Sequence, residues 1–281
     1  MNKVIRAEFG RTINAGLIIA IAGIIFSICF DSFNDLIAGL RNGQGYVGYF
    51  FSNAAFGGMC THYMLPVFTA LPFSVSLCQE RNNKAVSYIV SREGKNRYIF
   101  AKFIVSAISG GFVAACGTVL LFLMLAMRFP IAGDEFEGAV VSDYFHEWSA
   151  VYYPQLYILT LSILAFCRGV IWSSLALCVS LYTSDFMVVL LSPFLGSYVL
   201  VRIFQIIRVP DMVRPDMILI GQVVIKSSGL TLLIAIAISL TIVTLIGAFF
   251  CWKNEGGLKK WNYLLKQTGY QDIIFVCYMR I

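Results

Sequence analysis

Charged side chains are scarce in this chain: Asp, Glu, Lys and Arg together make up 13% of its 281 residues, about half the share usual in soluble domains. That shortage excludes an ordinary water-soluble fold. Histidine is nearly missing, with His62 and His146 alone, and two isolated histidines make no metal site. His146 and Glu147 begin a metalloprotease-like pair, but Ala150 stands where the second histidine belongs. The eight cysteines include no Cys-x-x-Cys pair, so neither a zinc site nor a disulfide framework is indicated and they read as packing residues. No phosphate-binding P-loop exists, because Gly94 and Lys95 are followed by Asn96 and Ile89 occupies the place of its first glycine. The chain is therefore not expected to hydrolyse ATP by itself. Gly43, Gly45 and Gly48 match the dinucleotide-binding glycine pattern but lack the strand and helix that give it meaning. No nucleophile–base pair or paired carboxylate stands within the apolar runs, so no catalytic residue and no cofactor is assigned to the chain.

What the sequence has instead is hydrocarbon. Hydrophobic residues make up 59%, mean hydropathy is +0.79, and the apolar residues gather into six long runs near 15–31, 60–79, 102–127, 165–183, 186–204 and 229–252. Each is close to the roughly 20 residues a helix needs to cross the hydrocarbon, and lipid leaves only helices or closed barrels to span it. The expectation is an all-α polytopic membrane protein. It has six transmembrane helices and both termini cytoplasmic, and forms a single transmembrane domain over 1–281. Residues 1–14 make an amphipathic N-terminal helix, 80–98 a cytoplasmic loop and 253–281 a cytoplasmic tail.

The orientation follows from lysine and arginine, which resist translocation near helix ends. Three precede the first run, six lie from Arg81 to Lys102 and five follow Trp252, placing 14 of the 21 inside. Nine acidic residues fall outside, among them Asp31, Asp35, Asp211 and Asp216. The net charge of +6 is then topological and calls for no nucleic acid. Tyr63, Trp148, Tyr152 and Tyr153 mark one interface, and Tyr98, Tyr182 and Trp252 the other.

Small residues lie in stripes on two spans, Gly16, Ala20, Gly23 and Ser27 on the first and Ser106, Gly110, Ala114 and Thr118 on the third. Helices in lipid associate by close backbone approach, so these stripes predict intrachain packing. Pro66, Pro72 and Pro193 are expected to bend the second and fifth spans and free backbone groups there, which makes those spans candidates to line a pathway. Arg168 is costly at mid-bilayer. Its least costly placement puts 155–166 in a short outer helix along the membrane, with Arg168 snorkelling at the interface; the alternative is an intramembrane substrate charge. Residues 208–228 are too polar to span and read as a shallow outer hairpin holding Lys226, and His62 as interfacial.

Between the second and third runs lies Gln79-Glu80-Arg81-Asn82-Asn83-Lys84, then Ala85, Val86, Tyr88, Ile89 and Val90 as an apolar side, then Ser91-Arg92-Glu93-Gly94 and the basic stretch to Lys102. Such an element lies on a membrane or docks in the groove of a partner, and anionic lipid headgroups would hold it as well. This loop, with the basic segment Asn2 to Ile13, the six runs and both ends inside, resembles type-2 ABC transporter permeases. There the first cytoplasmic loop is a coupling helix seated in a separate ATPase subunit. The resemblance implies that Glu80, Arg81, Lys84, Ser91, Arg92 and Gly94 contact the ATPase or shape the turn, with Gly94 reversing the chain at positive φ. It implies that Lys3, Arg6 and Arg11 face inner-leaflet headgroups. The expected function is the permease subunit of a bacterial exporter of amphipathic peptides, toxins or antibiotics in the cytoplasmic membrane. Its partners would be an ABC ATPase carrying ATP and Mg, a second copy or homologous permease, and lipid. The alternative is an ATP-independent channel or membrane assembly factor.

Overall fold

A computed structural model describes residues 2–42, 47, 50, 58–83, 86, 89–90, 94–130, 153–221, 223, 225 and 227–267. The expectations for Lys84, Ser91, Arg92, Lys226, Gly43, Gly45, Gly48, His146 and Glu147 lie outside these residues, and for Lys3 the description stops at the backbone.

All secondary structure among the described residues is helical, in the order α1 (Asn2–Thr12), α2 (Ala15–Asp31), α3 (Phe33–Asn42), α4 (Met59–Ala70), α5 (Ser76–Asn82), α6 (Lys95–Ala126), α7 (Pro154–Val179), α8 (Phe186–Ile207), a 3-10 turn (Asp211–Val213), α9 (Pro215–Ile220) and α10 (Ser228–Gln267). Four of them, α6, α7, α8 and α10, are long and apolar enough to cross a membrane, and α2 makes a fifth when counted with α1, which meets it at 57°. The protein is membrane-embedded. The second expected span, 60–79, is broken: α4 ends at Ala70, turns occupy 71–75, and α5 resumes at Ser76. Pro72 falls in that break, as a residue with no N–H and a fixed φ favours. Pro193, also expected to bend its span, lies inside α8, which runs through it. The carbonyl that Pro193 leaves unpaired, that of Val189, accepts from the Ser192 hydroxyl at 2.8 Å instead. Pro66 likewise sits inside α4. At the far end of the chain α10 continues past Trp252 to Gln267, so the expected tail begins as helix.

Helix ends are fixed by residues from neighbouring segments. Asn14 caps α2 by accepting from Leu17 N at 3.1 Å, while its amide donates to Arg11 O at 3.1 Å and to Pro72 O at 3.4 Å, joining the α1–α2 corner to the break after α4. Asp31, at the end of α2, accepts from Cys60 N at 2.9 Å and Thr61 N at 2.6 Å. Gly58, at the N-cap of α4, has no side chain to do this, and the carboxylate sits favourably at that positive helix end.

α7 is the central element. In its apolar window 67% of the residues are buried, against 17% in α8 and 11% in α10, so the latter two present hydrocarbon outward. α7 crosses α6 at Gly110 and Gly169: a Cβ on Gly110 would stand 2.8 Å from Gly169 O, and one on Gly169 would overlap the Gly110 carbonyl. Beside the crossing, Ser74, Ser106 and Ser173 are fully buried with their hydroxyls 3.0–3.1 Å apart, each satisfying the others where no water reaches. The small-residue stripe on the third run thus packs within the chain. So does that on the first, where Ala20 and Ser27 are buried and Gly23 lies under the Phe68 ring.

Gly169→Val should lower stability by about 2–3 kcal/mol, since overpacking moves two helix backbones apart; thermal unfolding in detergent measures it, with Ala237→Val on α10 as the control that should cost little.

Candidate functional site

Among the described residues Lys102, Arg168 and Arg214 are buried cations, and the first two organise the molecule from α6 and from the middle of α7. The first is Lys102, on the first turns of α6. Its side chain is wholly withdrawn from solvent, and a lone ammonium there would cost several kcal/mol. Its Nζ stands 2.8 Å from Glu80 Oε1, 3.1 Å from Glu8 Oε2 and 3.0 Å from Ser76 Oγ, and lies 4.7 Å from the centre of the Phe73 ring. Arg11 completes the cluster at 2.7 Å from Glu80 and 3.1 Å from Glu8, and the Tyr98 hydroxyl donates to the other Glu80 oxygen. Two carboxylates thus face two cations, which keeps the buried set neutral. Glu8 sits on α1, Glu80 on α5, and Tyr98 and Lys102 on α6, so the cluster binds three helices.

α5 also reaches the turn between α7 and α8. Arg81 donates to Ser180 O at 2.7 Å and Leu181 O at 2.9 Å, satisfying carbonyls at the end of α7. Asn82 donates to Ser184 O at 3.0 Å. Between α5 and α6, Val86, Ile89 and Val90 pack on the cluster of Leu77, Tyr98, Ile99, Leu177, Cys178 and Phe250. The described part of the apolar side expected of this loop is therefore laid against its own chain, Ala85 and Tyr88 lying outside the described residues. Gly94 takes φ 82° immediately before α6, the positive value that its chain reversal calls for.

Of the residues expected to meet a partner, Glu80 and Arg81 thus have intrachain partners, Gly94 shapes the turn, and Arg11 is half-exposed with its guanidinium in the ionic cluster. Arg6 is exposed on α1. Pro66, Pro72 and Pro193 are buried, and none of them is among the residues lining the cavity beside Arg168. Reading the sequence missed Glu8 and the fate of Lys102; the signal was a lysine followed by 25 residues with no further charge, which requires a carboxylate from elsewhere.

The second cation is Arg168. The expectation of a surface helix over 155–166 is overturned, because α7 is one continuous helix of 26 residues and Arg168 lies near its midpoint, 7% exposed. Backbone hydrogen bonding carries the helix straight through the arginine rather than ending it. The side chain lines a cavity of about 160 Å³ between α7, α8, α9 and α10, with His62 of α4 and Asp216 of α9 at the same end. His62 is thus half-buried in the bundle and not at an open interface. Among the described residues no hydrogen bond or ion pair reaches the Arg168 guanidinium. The nearby Asp216 is held by Arg214 through both oxygens, at 2.7 and 3.3 Å, and this hydrogen bonding raises Arg214 above the ordinary arginine range against the opposing effect of burial. The cavity is also lined by Gly196, Ser197, Leu200 and Val201 from α8 and by His62 from α4.

Compared with known proteins, the chain matches no family model, no curated protein and no solved structure.

Lys102→Met should cost about 3 kcal/mol by stranding two carboxylates. A cycle with Glu80→Gln should show a coupling of about 2 kcal/mol, read from thermal unfolding; no coupling would mean that the pair contributes nothing.

Proposed function

We propose that this chain is the membrane subunit of an ATP-driven ABC exporter in a bacterial cytoplasmic membrane, moving amphipathic peptides, toxins or antibiotics outward. A separate ATPase subunit binds ATP and Mg, and a second copy or homologous chain completes the pathway. The observation that carries this reading is the attachment of the 83–94 loop. At its start Glu80 joins α1 and α6 and Arg81 holds the α7–α8 turn, and at its end Tyr98 and Lys102 return to Glu80. A push on the loop is passed to four helices at once. That is what a protein needs if its energy arrives from a neighbour, through closure of a nucleotide site that favours one of two membrane arrangements. The outward apolar faces of α8 and α10 suit lipid and a second half.

A specific observation favours a second reading, an ATP-independent channel or assembly factor. Val86, Ile89 and Val90 are engaged within the chain, which takes these apolar residues from a partner, and the basic residues of the loop also suit anionic lipid.

Copurification of nucleotide-binding proteins with the full chain from its own cells separates the two. Arg92→Glu with Lys95→Glu should lower ATPase retention about tenfold or more while leaving membrane insertion unchanged. Undiminished retention and transport in that variant, or the absence of any copurifying nucleotide-binding protein, contradicts the exporter reading.

A further inference from the structure

Arg168 is 7% exposed in a helix of membrane-spanning length, and the one carboxylate beside its cavity is already engaged at both oxygens by Arg214. A buried guanidinium with no counter-charge is costly wherever it stands, and more so among hydrocarbon. The cavity it lines is overwhelmingly apolar, with His62, Arg168, Ser197 and Asp216 as its polar members beside Trp172. Ile171, Trp172 and Leu175 follow Arg168 at three, four and seven residues, one face of α7, and Leu200 and Ile246 close the opposite side. This strip runs about 10 Å along the helix. The position of Gly196 keeps it open, since a Cβ there would stand 3.2 Å from the Trp172 ring.

We propose that the cavity binds an anionic amphiphile, seating a carboxylate or phosphate head on Arg168 and its hydrocarbon along the strip toward Leu175. The planar guanidinium matches both head groups in paired hydrogen bonds, and their charge supplies the partner that this arginine lacks among the described residues. Apolar walls beyond the head exclude a bare inorganic anion as the natural occupant. The site is independent of the exporter reading, and its test uses the purified chain with no ATPase present.

Thermal unfolding is followed in nanodiscs of phosphatidylcholine with four additions: oleate, oleyl alcohol, phosphatidylglycerol and inorganic phosphate. Oleate or phosphatidylglycerol should raise Tm by about 5 °C at roughly 100-fold above Kd, with oleyl alcohol and inorganic phosphate giving no shift. A response to oleate assigns the site to a free amphiphile, and one to phosphatidylglycerol alone assigns it to a bilayer lipid. Arg168→Met should abolish the shift without lowering the ligand-free Tm, because it removes an uncompensated charge, and Arg168→Lys should retain part of it. Gly196→Val, which drives the Trp172 ring into the cavity, should abolish it as well. The proposal is overturned if neither anionic amphiphile shifts Tm, if oleyl alcohol or inorganic phosphate acts as strongly, or if Arg168→Met responds like the parent chain.

Discussion

An ammonium group with no access to water dictates the arrangement at the α1 end of this protein. Lys102 is tolerable there only because Glu8 and Glu80 come to it from α1 and α5 and Arg11 balances the second carboxylate. These partners lie far apart along the chain, so pairing them fixes three helices in one place. An amphipathic N-terminal helix could float on headgroups; α1 instead turns 57° from α2 and is held by its own carboxylate. The short α5, with few residues of its own to bury, is held in the same way and by the hydrogen bonds of Arg81 and Asn82 to the α7–α8 turn.

Lys102 and Arg168, both buried, show opposite solutions to one penalty. Lys102 is compensated from within, and its role is to hold helices together. Arg168 is not, although Asp216 lies beside the same cavity, because Arg214 has claimed that carboxylate. α7 joins the two, with its buried faces against α6 at the Gly110–Gly169 crossing and against the cavity farther round. The tight crossing and the buried Ser74, Ser106 and Ser173 hydroxyls leave that contact little room to slide. Motion in this bundle is then more easily placed at the broken second span and at α8 and α10, whose surfaces are mostly outward.

Apolar content and periodicity made the helical, membrane-embedded class legible, and α2 occupies the 15–31 read from hydropathy alone. The stripes through Gly23 and Gly110 were legible too, because small residues at helical spacing have one main use in lipid. Pro72 marked a break, but a proline alone does not distinguish a bend from two separate helices; the turns at 71–75 depend on the anchoring of Asn14 to Pro72. Arg168 misled, since insertion cost argues for the surface while the structure offers a cavity that hydropathy cannot register. The ionic cluster was illegible for a different reason. Glu80 and Lys102 were both visible, but the partner that makes them internal, Glu8, comes from the other end of a 57° corner.

The central claim is that the Lys102 cluster makes α1, α5 and the start of α6 one mechanical unit. Amide hydrogen exchange on the full chain in nanodiscs, compared between the parent and Lys102→Met, tests this most directly. The account predicts that protection falls together in residues 5–12, 76–82 and 97–102 while the α6–α7 crossing around Gly110 and Gly169 is unchanged. Unaltered protection of 5–12, or its loss without any loss at 76–82, would contradict it.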